Sequence, residues 1–135
     1  MRTGNKVMIQ TIIQLLVFLG LFLISRSLLK NIYLFEWTSR YLYCCIWIIV
    51  LVLCIKKKID MAWFITVGNV VGIVLGQLLG EVIKNFRMKE ITVKTSAEEA
   101  YQLSQHYGVP IWALTIFVTL VAGELIHKIK VSKIS

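Results

Sequence analysis

The chain has 135 residues, is 58% hydrophobic and carries a formal net charge of +8. That length excludes a multi-domain machine, and a soluble domain of ordinary composition is only about 45–50% apolar with glycine counted. The mean hydropathy of +0.77 and the long uncharged runs instead predict membrane spans, and the cations flanking those runs point to anionic lipid headgroups rather than nucleic acid.

Arg2 and Lys6 precede an apolar run over residues 7–25. The start resembles a signal peptide, but about 19 residues reach roughly 28 Å at helical rise. No small-x-small cleavage site follows, so the run is read as an uncleaved first span. Gln10 and Gln14, one turn apart near its start, are expected at headgroup level. Residues 26–40 read as an interfacial connector, with Tyr33, Phe35 and Trp37 at headgroup depth and Arg26, Lys30 and Arg40 reaching phosphate.

A second span is expected over 38–55, with Arg40 snorkelling outward. Cys44, Cys45 and Cys54 all lie in it. Along a helix Cys45 and Cys54 would be about 13 Å apart, too far to bridge. With no metal-ligand spacing, the three cysteines read as small apolar fillers. Lys56, Lys57 and Lys58 then form a short loop that meets lipid headgroups and makes its two flanking helices antiparallel neighbours. Asp60 is placed to cap the next helix.

The third span, 61–83, organises the chain. Gly68, Gly72, Gly76 and Gly80 recur every fourth residue. Each would cost roughly 1 kcal/mol against alanine in a soluble helix, but within a bilayer small residues let two backbones approach closely. Asn69, Gln77 and Glu81 each follow a glycine and form a polar stripe beside the ridge. Asn69, deep in the span, reads first as a hydrogen bond between helices, and second as a transport contact.

Residues 84–108 form a polar loop. Ser96 and Glu99 make an S-x-x-E capping box, which predicts a short amphipathic helix from Ala97 with Ala97, Ala100, Leu103 and Tyr107 on one face. Gly108 is expected to end it, and Pro110 to lie in the first turn of a fourth span over 109–127. There Thr115, Thr119 and Gly123 form a second small-residue ridge, a partner for the first.

Four spans put Arg2, Lys6, Lys56, Lys57, Lys58, Lys128, Lys130 and Lys133 on one side, in short segments. Their density beside the spans predicts cytoplasmic termini, in the plasma membrane. Glu81 and Glu124 are the acids at span ends. Lys84 lies three residues after Glu81, and His127 and Lys128 lie three and four after Glu124, so both acids read as interfacial ion pairs rather than coupling sites. Glu124-Leu-Ile-His127 has the spacing found in di-iron bundles, but the second such motif and the further carboxylates are missing. No nucleophile, phosphate-loop or metal constellation appears, so no catalytic, metal or cofactor site is expected, and no enzymatic activity.

The fold expected is an all-α integral membrane protein: one domain over 1–135, with four transmembrane helices in a compact antiparallel bundle. The architecture resembles that of the small multidrug transporters, but the central carboxylate of their first span is absent. The function expected is that of an accessory, regulatory or immunity-type subunit working by helix–helix contact with itself or a larger membrane protein. The alternative is a homo-oligomeric transporter or channel lined by Asn69, Gln77 and Glu81.

Overall fold

A computed structural model describes residues 2–134, with side chains from residue 4, so the Arg2 side chain lies outside the described residues. Among the described residues the regular structure is helical throughout. The helices are α1 (Arg2–Ser27), α2 (Tyr33–Arg40), α3 (Ile46–Ile55), α4 (Ile59–Met88), α5 (Ala97–Leu103) and α6 (Gly108–Ile134). Three helical stretches are long and apolar enough to cross a membrane, or up to four if the bent pair 33–55 makes one crossing.

α4 is the core. In its most apolar window 44% of residues are buried, against 11% in Gly4–Ser27 and 11% in Ala97–Ile134. It packs most extensively on α6 and also touches α1, α2, α3 and α5. The contacts make α4 and α6 antiparallel: Gly68 faces Thr119, Gly72 faces Trp112 and Thr115, Gly76 and Gly80 face Gly108, and Gly123 faces Phe64. At Gly76 the approach is tightest on backbone. A methyl group there would lie 2.6 Å from the Gly108 carbonyl oxygen and 2.7 Å from a Leu34 methyl. Only a residue without Cβ fits unless the helices move apart.

The continuous helix expected over 38–55 is not formed. α2 and the stretch from Leu42 are bent by 55°, and between them Leu42, Tyr43, Cys44 and Cys45 all take left-handed φ values of 49–60°. For L-residues that conformation costs about 1–2 kcal/mol each. Tyr43 turns inward, edge-on to Phe18 with ring centroids 5.8 Å apart. Cys44 and Cys45 are exposed in this turn, so of the three cysteines read as small apolar fillers only Cys54 sits among buried side chains. The segment expected as an interfacial connector contains α2, whose Leu34, Thr38 and Ser39 are buried.

The loop after α3 closes by main-chain bonds: the Lys58 N–H donates to the Leu53 carbonyl at 2.8 Å and the Lys57 N–H to that of Cys54 at 2.9 Å. Lys57 takes the left-handed position usually filled by glycine in this motif (φ 60°). Asp60 does not cap α4. The helix begins two residues earlier than expected, at Ile59, after an N-cap Lys58, and the Asp60 carboxylate instead lies 3.5 Å from Lys130 Nζ on α6.

Ser96 and Glu99 form both bonds of a capping box, at 3.2 and 3.1 Å. α5 stops at Leu103, so Tyr107 falls beyond its face, and Gly108 opens α6 rather than closing α5. Gln14 also departs from expectation. While Gln10 is exposed, Gln14 is fully buried and accepts a 2.9 Å bond from Thr66 Oγ1 of α4.

Candidate functional site

The polar side chains gather where α2 and α6 begin, against the second half of α4. Each helix start leaves backbone N–H groups without intrahelical acceptors, and Ile32, the N-cap of α2, contributes no side-chain bond. Gln77 supplies the acceptor from the neighbouring helix: its Oε1 takes the Leu34 N–H at 2.9 Å. That orients the amide, and its Nε2 then donates to Glu81 Oε2 at 3.1 Å. A carboxylate beside the positive ends of two helices is electrostatically favourable.

His106 completes the group. Its Nδ1 accepts the Gly108 N–H at 3.0 Å, so the imidazole caps the first residue of α6. Because a backbone N–H can only donate, the neutral ring carries its proton on Nε2. That nitrogen is buried without a hydrogen-bond partner. It points to Glu81 Oε2 at 3.7 Å, within ion-pair reach but too long for a hydrogen bond. The His106 side chain is 5% exposed and that of Glu81 53%, so solvent reaches only the acid. The ring lies against Gly80 and Gly108 and meets Tyr33 at a tilt of 41°, with centroids 4.5 Å apart. His106 lies between α5 and α6, and burial holds its pKa below the ordinary 6.5. Glu81 opposes that shift and Lys84 adds to it.

Asn69 is separate from this cluster. Buried in the α4–α6 seam, its Oδ1 accepts the Trp112 Nε1–H at 3.0 Å, the partner an indole needs in an apolar interior. The structure thus joins Gln77 to Glu81 but does not extend the stripe to Asn69. The sequence led us to expect an ion pair between Glu81 and Lys84; instead Glu81 accepts from Gln77 and lies 3.7 Å from the neutral His106 ring. Glu124 lies 3.4 Å from Lys128 on the exposed last part of α6. Thr115 and Thr119 bond carbonyls of their own helix. Lys56, Lys57 and Lys58 are exposed. No group of three or more metal-ligating side chains occurs among the described residues.

Sequence reasoning missed His106 and Trp112. Pro110 carried a usable signal for the first. Proline in a first helical turn dates the helix start, which puts the histidine before it in capping range.

Among the described residues the fold is all-helical, with three helices, or up to four, long and apolar enough to cross a membrane. Beyond that class, no family model, curated protein or solved structure matches the chain.

Proposed function

We propose that the chain is a small non-enzymatic subunit of the plasma membrane, working through lateral helix contacts with itself or a larger membrane protein. In this reading it crosses the bilayer four times as an antiparallel bundle, held by a glycine zipper of Gly68, Gly72, Gly76 and Gly80 against Thr115, Thr119 and Gly123. Its basic end, with Lys56, Lys57 and Lys58, meets anionic headgroups on the cytoplasmic side with both termini. Support for four crossings comes from the bent pair: α2 begins against Gly76 and Gln77, and α3 ends at the loop into Ile59. Together they run alongside most of α4.

The observation that carries the subunit reading is the occupation of the polar stripe. Asn69, Gln77 and Glu81 are each bonded to protein groups. The outward faces of α1 and α6 carry exposed Ile12, Leu16, Leu23, Leu114, Phe117 and Val121. A groove of about 310 Å³ beside α1 is lined by apolar and aromatic side chains such as Leu15, Phe18, Phe22 and Trp47. These are surfaces for lipid and neighbouring helices. Cross-linking in native membranes should capture a discrete oligomer or a larger complex. Ion or substrate flux in proteoliposomes that changes on Gln77→Leu or Glu81→Gln would replace this reading with the transporter. In intact cells, cysteines at Lys57 and Ser132 should resist a membrane-impermeant thiol reagent while one at Thr95 is labelled; the opposite pattern inverts the orientation.

A further inference from the structure

We propose that His106 is an acid-released latch at the end of the α4–α6 seam: the neutral ring caps α6 and wedges between Gly80 and Gly108, and protonation expels it and frees the first turn of α6. The geometry makes the ring a cap only while it is neutral. Protonation adds a hydrogen at Nδ1, the atom that now accepts the Gly108 N–H, so two N–H groups would face each other. An imidazolium there would also meet the positive end of the α6 dipole. Metal ligation at Nε2 is disfavoured for the same reason, because the Gly108 bond keeps the proton on that nitrogen.

The ring cannot simply slide within its slot. A methyl group on Gly108 would lie 2.6 Å from its Cε1, and the tilted Tyr33 ring of α2 packs against it. Outward lies the exposed Glu81 carboxylate, and the expelled cation passes it into solvent. Glu81 and Lys84 of α4 and Tyr33 of α2 are the titratable groups that face the ring, while Arg87 donates to Tyr107 beside it.

The sign follows from linkage. The released ring regains the ordinary value of 6.5 and the latched ring has a lower one. The released state therefore binds the proton more tightly. The latch holds fully above 6.5 and is lost as pH falls from there through the lowered value.

The test uses the full chain in lipid nanodiscs between about pH 7.5 and about pH 5, either side of the ordinary histidine value. The His127→Gln background leaves His106 as the only histidine, so ¹⁵N resonances report its tautomer and charge directly. Amide exchange over residues 104–112, corrected for intrinsic rate, reports release. At the upper pH the ring should be the Nε2–H tautomer, and on acidification protection at Gly108 should fall on the order of tenfold, the scale of a lost helix cap. His106→Asn places a non-titrating side-chain oxygen where it can accept the same N–H, and should keep protection flat with pH. Glu81→Gln removes the carboxylate that favours the cation and should move release to lower pH. If His106 protonates while Gly108 stays protected, or if His106→Asn loses protection with pH as the parent does, the latch is wrong. An Nδ1–H tautomer at the upper pH would overturn it as well.

Discussion

The α4–α6 seam and the α1–α4 contact use similar residues to different effect. On α4, Gly72, Gly76 and Gly80 are where another backbone arrives: the Gly108 carbonyl lies where a Gly76 side chain would begin. On α1, Gly4 and Gly20 have nothing within 4 Å of a built side chain. The buried amides differ in the same way. Asn69 takes the Trp112 indole N–H, whereas Gln14 accepts from Thr66 but leaves its own Nε2 without a partner. At Asn69 and Trp112 the seam matches both shape and hydrogen bond, and the α1 contact at Gln14 is looser. A glycine or an amide in a span therefore says that close packing is available, and only the neighbouring helix says whether it is used.

The largest effect that would break this contrast comes from the glycines. Gly76→Ala should lower the thermal midpoint in detergent, by an overpacking cost of about 1–3 kcal/mol. It should also weaken a cross-link between cysteines at Phe64 of α4 and Gly123 of α6, whose Cβ positions lie 3.1 Å apart. Gly72→Ala should be milder, because its methyl would meet Trp112 and Thr115 atoms at 3.1–3.3 Å, a gap that small shifts can open. Gly20→Ala should leave the midpoint unchanged or raise it, since alanine is the better helix former. Equal losses at Gly20 and Gly76 would mean the seam is not where the fold is held.

The amides offer a smaller and sharper comparison. Asn69→Leu orphans the Trp112 N–H and should destabilise by about 0.6–2 kcal/mol. Gln14→Leu should cost far less, because the one Thr66 hydroxyl hydrogen can then go wholly to the Ala62 carbonyl at 2.9 Å and a partnerless amide group is removed. Midpoints of the two variants and of the parent, measured side by side, decide this; a larger loss from Gln14→Leu would reverse the ranking of the two contacts.

How much of this was legible varied with the range of the interaction. The capping box at Ser96 and Glu99 is local, and it formed with both bonds where the spacing put it. The turn at Leu42–Cys45 was not legible, because it runs against local preference. None of its residues favours left-handed backbone, and its inward Tyr43 depends on Phe18 of a distant segment. Asp60 shows the same limit, since it had the character of a cap but found Lys130 across the bundle.

Periodicity and charge placement by themselves determined that this protein is helical, apolar enough for a membrane and ridged with glycine along its central helix, because those properties depend on spacing along one chain. Tertiary structure alone decided that Gly76 meets Gly108, that Gln77 caps α2, and that His106 rather than Lys84 lies beside Glu81. Each joins residues far apart in sequence, and which groups meet depends on how the helices cross and where each one starts. A helix end leaves donors unsatisfied wherever it falls, so the acceptors that answer them can be named only once the helices are packed.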